Sequence, residues 1–142
     1  IRIYEATEPS DLLAEAFARL LPQLSERMTA PDREAVARIV ASPATRQLVA
    51  AAEDGRIVGL LSVALYDVPS GRKAWIEDVV VDAATRGRGI GEALVREALA
   101  LARREGVARV MLTSNATRRA SHRLYERMGF VRYETDCFRL DL

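Results

Sequence analysis

The spacing of hydrophobic and polar positions divides the chain into short strands and amphipathic helices. After Pro9, apolar residues recur every three or four positions, which predicts a helix that Pro22 bends or ends. The residues predicted to face inward on this helix are Leu12, Leu13, Ala16, Phe17, Leu20 and Leu24. Asp54–Gly55 is a strong hairpin signal between two apolar runs. The other elements predicted up to residue 81 are a strand over Ile1–Ala6, a helix over Pro31–Ala41, and strands over Gln47–Glu53, Arg56–Tyr66 and Ala74–Val81.

From residue 82 onward, helices and strands alternate. A glycine-rich turn over Arg86–Gly91 precedes a helix that is predicted to end near Glu105. The elements predicted after it are a strand over Val107–Thr113, a helix over Ala116–Met128 with Ala120, Leu124 and Met128 facing inward, and a last strand over Phe130–Leu140. Helix-linked strands imply parallel pairing, whereas the earlier hairpin is antiparallel. The order predicts an α/β (α+β) fold, a mixed and mostly antiparallel sheet with helices on both faces.

Length and composition limit the classes of protein that remain. A chain of 142 residues predicts one domain over residues 1–142. Apolar residues at 49% and charged residues at 29% exclude a disordered or low-complexity chain. The longest apolar run, Ile57–Leu65, is about half of the roughly 20 residues that a membrane span needs. The N-terminus shows no signal-peptide pattern. Cys137 alone forms no internal disulfide or multi-cysteine metal site, and we expect it to be buried on the last strand of a cytoplasmic protein.

Charge is distributed unevenly along the chain. The net charge of +1 argues against nucleic acid as the main partner. Residues 1–80 carry nine basic and twelve acidic side chains, whereas residues 81–142 carry twelve and eight. Lys73 is the only lysine, and the planar guanidinium of arginine suits phosphate. Two interpretations stay open: a general preference for arginine on solvated faces, or an anion held by the second half and a cation by the first.

The glycine-rich turn is the most informative segment. Gly87, Gly89 and Gly91 stand at alternate positions between an apolar strand and an amphipathic helix. Glycines let backbone amides approach a ligand closely, and a helix start adds unpaired N–H groups, which together predict a phosphate site. Glu92 follows the last glycine where a Walker loop needs Lys, and it stands where a dinucleotide fingerprint needs Gly. Both of those motifs are therefore excluded.

Three segments carry motifs in the order and spacing of a known family: Ile76–Val81, Arg86–Gly91 and Leu124–Phe130. Together they resemble the GCN5-related N-acetyltransferases, the GNAT superfamily. Arg86–Gly91 matches the family's Arg/Gln-x-x-Gly-x-Gly/Ala loop, which binds the pyrophosphate of acetyl-CoA. Leu124–Phe130 is similar to its Leu-Tyr-x-x-x-Gly-Phe motif, and Ile76–Val81 to its central strand. The resemblance covers roughly residues 74–140. Residues 1–50 carry no matching motif, and in this family that part usually differs with the acceptor.

The resemblance implies where acetyl-CoA binds. The implied contacts are the backbone of Val79, Val80 and Val81, the turn residues Arg86, Gly87, Arg88, Gly89, Ile90 and Gly91, and Glu92 after them. Many family members have Asn seven residues before the motif tyrosine, and here that position is Arg118. A guanidinium there is able to pair with a cofactor phosphate. Asn115 is a second polar candidate for a cofactor contact.

Amide formation from a thioester needs a base, a site for the oxyanion and an acid. An alkyl ammonium has a pKa of about 10.4, so a base must take its proton at neutral pH. Glu77 is the candidate, directly or through water, with Asp78 as the alternative. Strand alternation predicts that Trp75, Glu77, Val79 and Val81 share one face and that Asp78 points away. Tyr125, on the last helix, is the candidate acid for the leaving thiolate.

The sequence thus predicts an N-acetyltransferase that uses acetyl-CoA as co-substrate and no metal. Transfer is expected to be direct, in a ternary complex, because no activated Ser or Cys dyad is visible. A small amine is the first expectation for the acceptor, and a peptide or protein amine is the second. An acyl-CoA-binding regulatory domain without turnover is the alternative from another class. No membrane partner is expected, and the last strand is able to pair across a homodimer.

Overall fold

The computed structural model describes all 142 residues. Five strands and four helices follow one another along the chain. They are β1 (Arg2–Ala6), α1 (Asp11–Leu24), α2 (Arg33–Ala41), β2 (Thr45–Ala51), β3 (Ile57–Val68), β4 (Gly71–Val81), α3 (Ile90–Arg104), β5 (Val110–Leu112) and α4 (Arg119–Arg127), with a 3-10 turn over Ala83–Thr85. None of the helices is long and apolar enough to cross a membrane.

The strands form one sheet in the order β1-β2-β3-β4-β5. The first four are antiparallel, and the hairpin between β2 and β3 turns at Gly55 as predicted. Only β5 runs parallel to its neighbour, and it pairs with β4 over Ala74–Ile76 alone. Beyond Ile76, β4 therefore has no strand on its β5 side. The predicted fold class, a mixed and mostly antiparallel sheet, is confirmed.

Two apolar layers cover the sheet, one on each face. Successive β2 residues show the division, because Leu48 and Ala50 pack with α3 while Val49 packs with α1. The α3 layer also holds Tyr125 of α4, and the α1 layer holds Val36 of α2. Burial of both faces explains why Leu48–Ala51 of β2 is an unbroken apolar run. The prediction of helices on both faces is confirmed.

Details of two helices differ from their predicted form. Pro22 does not end α1, which continues to Leu24, because a proline this close to the end removes only one hydrogen bond of the last turn. Leu12 is 47% exposed, so the inward face is centred on Leu13, Phe17 and Leu20 instead. Helix α4 begins three residues later than predicted, and Ala120 is exposed rather than inward-facing.

The prediction of a last strand over Phe130–Leu140 is wrong. This segment pairs with no strand, and Cys137 is exposed rather than buried. The apolar alternation changes phase between Cys137 and Phe138, so no single face of one strand would be apolar throughout. Its predicted neighbour β5 is also short, at Val110–Leu112 instead of Val107–Thr113. The homodimer through this segment stays a prediction.

Candidate active site

A bulge in β4 sets the geometry of the candidate acid–base residues. Ser62 of β3 faces Glu77, and Leu60 faces Val80, so β4 has one residue more than β3 over this stretch. Asp78 takes up the extra residue with a left-handed backbone, at a φ of 48°. Such a conformation is rare for a residue other than glycine, and Asp and Asn tolerate it best.

The bulge reverses the alternation of β4 side chains between the two faces of the sheet. Before it, Ile76 packs in the α3 layer, and after it Val79 packs there while Val80 packs in the α1 layer. The prediction that Glu77, Val79 and Val81 share one face is therefore wrong, because strict alternation assumes an unbroken register. Trp75 does not line the cleft described below; its indole N–H donates to the Tyr66 hydroxyl at 2.8 Å.

Glu77 and Asp78 open into the same cleft, although alternation predicted that Asp78 points away. Both carboxylates border a central cavity of about 280 Å³ and also a second cavity beneath α1 and α2. Partial burial raises the pKa of Glu77, and the charge of Asp78 raises it further. A carboxylate with a raised pKa is a stronger base once it is ionised, which supports Glu77 as a candidate general base.

Replacement of Asp78 by Asn should move the acid limb of the kcat/KM profile to lower pH. The negative charge of Asp78 raises the pKa of Glu77, so its loss lowers that pKa and keeps Glu77 ionised in more acidic solution. Asn tolerates the left-handed backbone of this position, so the fold should be retained. The measurement is kcat/KM for one amine between pH 5 and 9. An acid limb that stays in place would show that Glu77 does not govern the profile.

The turn between β4 and α3 forms a second candidate site. Gly87 and Gly89 have positive φ values of 80° and 77°, and Gly89 is the N-cap residue of α3. No side chain caps this helix, so the first-turn amides of Ile90, Gly91 and Glu92 are available to a ligand. A cavity of about 700 Å³, the turn cavity, lies against these residues. Helix-start amides that face a cavity are suited to an anion.

Arginine side chains surround the turn cavity. Arg86, Arg118, Arg119 and Arg127 line it, whereas Arg88, a predicted contact, does not. The remaining predicted contacts that line this cavity are Val79, Val80, Val81, Gly87, Gly89, Ile90, Gly91 and Glu92. A β-carbon at Gly91 would lie 3.3 Å from Leu124 Cδ2, so this glycine lets α3 approach α4 closely.

Helix α4 brings Tyr125 to the junction of the cavities. Tyr125 is the buried residue of this helix, and its ring packs edge-on against the ring of Phe130, with the two ring centroids 5.7 Å apart. Burial raises the pKa of the phenol, and the nearby charge of Arg118 opposes that rise. The phenol is thus fully protonated near neutral pH and is able to donate a proton.

The two polar candidates near the start of α4 make contacts within the protein. Arg118 donates from Nη2 to the carbonyl oxygen of Leu24 at 2.6 Å, and so it connects α4 to the end of α1. It borders both the turn cavity and the central cavity. Asn115 lines the central cavity, where its side-chain oxygen accepts from the backbone N–H and hydroxyl of Thr117. That contact is a local turn that orders the approach to α4.

The cavities adjoin in a fixed order. The residues common to the turn and central cavities are Leu24, Val79, Arg118, Ser121 and Tyr125. The central cavity shares Met28, Glu77 and Asp78 with the cavity beneath α1 and α2, the helix cavity, which measures about 440 Å³. One continuous cleft therefore runs from the arginine-lined turn, past Tyr125, to the two carboxylates.

The sequence reasoning missed the helix cavity and a buried link beside the turn. Asp82 is 5% exposed and accepts from Arg19 and Gln23 of α1 and from the N–H of Ala84. These bonds, with the charge of Arg19, hold the pKa of Asp82 below its usual value although burial opposes this. Gln23 also accepts from the N–H of Ala83 at 2.8 Å, so α1 is tied to the turn. The available signal was a lone acidic residue directly after an apolar strand.

Comparison with known proteins identifies the family. The profile of the Acetyltransferase (GNAT) family matches residues 9–130. The chain is 35% identical over 127 residues to glucosamine 6-phosphate N-acetyltransferase 1 of Oryza sativa subsp. japonica, covering 84% of this chain and 75% of that protein. It is 40% identical over 91 residues to glucosamine 6-phosphate N-acetyltransferase of Trypanosoma brucei brucei, covering 62% of this chain and 59% of that one.

A solved structure agrees with the family match. The crystal structure of a Trypanosoma brucei acetyltransferase superposes with a TM-score of 0.80 at 31% identity, covering 99% of both chains. This chain belongs to the acetyltransferase (GNAT) family. The predicted resemblance and the predicted enzyme class, an N-acetyltransferase, are thereby confirmed.

Proposed function

We propose that this protein transfers the acetyl group of acetyl-CoA directly to the primary amine of a small molecule, with both substrates bound on one domain. The observation that carries the proposal is the continuous cleft in which Tyr125 borders the turn and central cavities and Glu77 borders the central and helix cavities. An acid and a base thus line the same central cavity, Tyr125 where it meets the turn cavity and Glu77 where it meets the helix cavity. Acetyl transfer needs this arrangement, with the thioester between them.

The donor end of the cleft suits the phosphates and the amide-containing arm of acetyl-CoA. The α3 amides after Gly89 and the guanidinium of Arg86 would hold the pyrophosphate. The β5 side of β4 carries no strand beyond Ile76, which leaves the backbone groups that face this side within Val79–Val81 able to bond the amides of the arm. The Val81 carbonyl accepts from Arg86 Nε at 3.2 Å, which fixes this arginine beside the strand. The same backbone N–H groups are suited to bind the oxyanion that forms on the thioester carbonyl.

The reaction balances with two protein groups. Glu77 takes the proton of the ammonium, directly or through water, and the amine nitrogen attacks the carbonyl carbon of the thioester. When the tetrahedral intermediate collapses, the carbon–sulfur bond breaks and Tyr125 donates its proton to the departing sulfur. A thiol has a pKa of about 8.5, so the thiolate is a better leaving group than an alkoxide. The nitrogen loses its second proton as the amide forms, and that proton restores the Tyr125 phenol through solvent, while Glu77 releases the proton it took to water. The products are an amide, free CoA and one proton in solution.

Release of free thiol over a panel of amines tests this proposal. Amino sugars, including the glucosamine 6-phosphate in the names of the relatives, belong in the panel beside polyamines, amino acids and peptides. Acetyl-CoA-dependent release that requires a small amine supports the proposal. Release with peptides alone would favour a peptide or protein acetyltransferase. Binding of acetyl-CoA without release from any amine would favour the regulatory domain.

Replacement of Gly89 by Val should weaken acetyl-CoA binding by about tenfold or more. A side chain at this left-handed position costs about 1–2 kcal/mol, and a relaxed backbone would turn the helix-start amides away from the pyrophosphate. Titration calorimetry measures the affinity. The matched control is Gly55→Val, because Gly55 also has a left-handed φ in open space but lies in the β2–β3 hairpin. Equal affinities for the two variants would remove the turn from the site.

A further inference from the structure

The helix cavity is bounded by α1, α2 and the loop between them on one side and by β2, β3 and β4 on the other. Its apolar wall comes mainly from Phe17, Leu21 and Ile39, and its polar floor from Gln47 and Ser62. Its volume of about 440 Å³ lies in the range of small-molecule pockets. The shared residues Glu77 and Asp78 connect it to the central cavity. A molecule that fills this cavity therefore reaches the candidate base.

The charged side chains that line the helix cavity are all acidic. Glu77 and Asp78 are its ionisable lining residues, and no Lys, Arg or His side chain lines it. The arginines of the cleft lie instead around the turn cavity and at Arg118. A cation entering the helix cavity is attracted toward the carboxylates, whereas a phosphate or carboxylate group meets no counter-charge there.

The polar side chains of the cavity floor also favour a ligand that donates hydrogen bonds, as a cationic amine does. Gln47 is 3% exposed, and its Nε2 donates to the backbone carbonyls of Leu48 and Leu61 at 3.2 and 3.3 Å. Its Oε1 accepts from the Ser62 hydroxyl at 2.7 Å, which occupies the proton of that hydroxyl. The amide and hydroxyl donors of the floor are thus used within the protein, and the Ser62 oxygen keeps lone pairs that accept. The floor matches a ligand that donates hydrogen bonds.

We infer that the helix cavity selects a cationic amine whose remaining part is apolar or hydroxylated and carries no phosphate or carboxylate. The inference rests on the proposed function and names its acceptor class. It also separates this chain from relatives named for a phosphorylated amino sugar. A phosphate attached to the amine would have to lie among Phe17, Leu21 and the two carboxylates, where nothing neutralises it.

Matched pairs of acceptors test the inference. In each pair one member adds an anionic group to the same amine: glucosamine with glucosamine 6-phosphate, and tyramine with tyrosine. In at least one pair, the member without the anionic group should have a kcat/KM at least tenfold higher, and the preference should shrink as salt screens the carboxylates. Equal values, or higher values for the anionic members, would overturn the inference alone. If none of the amines supports thiol release, the proposed function is overturned, and the inference with it.

Introduction of a cation should reverse the preference. Thr29 is an exposed lining residue in the loop between α1 and α2, so Thr29→Arg places a guanidinium at the cavity mouth without filling the core. The ratio of kcat/KM for the member with the anionic group to that for the member without it should rise by about tenfold. Thr135→Arg is the matched control, because Thr135 is exposed and lies outside the cleft. An unchanged ratio in Thr29→Arg, or an equal rise in Thr135→Arg, would contradict the charge argument.

Discussion

Replacement of Tyr125 by Phe should lower kcat by about 10²-fold and leave acetyl-CoA affinity nearly unchanged. The phenyl ring keeps the edge-on contact with Phe130 and the packing of α4, so only the hydroxyl is lost. Without a proton donor the sulfur must leave as a bare thiolate, and general acid catalysis typically contributes 10²–10⁴-fold. Acetyl-CoA affinity should change little, because the proposed pyrophosphate contacts are the amides at the start of α3 and not the phenol hydroxyl. Steady-state kinetics and titration calorimetry together measure the two effects.

The matched control makes the same chemical change elsewhere. Tyr133 is 57% exposed in the C-terminal segment, and Tyr133→Phe removes a hydroxyl that faces solvent. This variant should retain its kcat. If Tyr125→Phe also retained kcat at neutral pH, the thiolate would leave unaided or take its proton from water. Loss of acetyl-CoA affinity together with kcat would instead assign Tyr125 a role in binding.

Replacement of Glu77 by Gln should lower the rate at pH 7 by about 10²-fold, with partial recovery at higher pH. The amide keeps the size of the side chain but has no basicity and no charge. At higher pH more of the acceptor is already neutral, because its pKa is about 10.4, so the missing base matters less. The pH dependence of kcat/KM in both enzymes measures the recovery. Acetyl-CoA binding should stay the same.

The control variant for Glu77→Gln changes an exposed carboxylate, and the alternative base is the neighbouring carboxylate, Asp78. Glu53 is exposed at the β2–β3 hairpin, and Glu53→Gln should leave the pH profile unchanged. If Glu77→Gln retained the rate while Asp78→Asn abolished it, Asp78 would be the base, since both side chains border the same cavities. If neither substitution mattered, the amine would lose its proton to solvent before it binds.

The order of the elements up to α4 and the tight glycine turn before α3 were readable from the sequence because both depend on local chemistry. Helical spacing marks α1 and α3, and Asp54–Gly55 marks the hairpin. The glycines of the turn are needed where φ is positive, at Gly87 and Gly89, and that requirement appears directly as a residue type. Such signals need no knowledge of distant contacts.

The sequence did not show on which face of the sheet the Glu77 and Asp78 side chains lie. A bulge adds one residue to β4 relative to β3, and only the pairing of the two strands shows it. The residue that takes the left-handed backbone is Asp78, which in the sequence looks like any other acidic residue of a strand. The helix cavity was also hidden, because it joins residues of α1, β2 and β4 that are far apart in the chain.

The two ends of the cleft are built from different stretches of the chain. The lining of the helix cavity comes from positions within residues 17–64, together with Glu77 and Asp78. The lining of the turn cavity comes from positions within residues 79–127, together with Gln23 and Leu24. If the helix cavity holds the acceptor and the turn cavity holds the donor, as proposed, the first stretch is able to change with the acceptor while the second is kept. The same separation guides engineering. A mutant library confined to the helix-cavity positions Phe17, Leu21, Ile39 and Gln47 would explore new acceptors without altering any residue that lines the turn cavity.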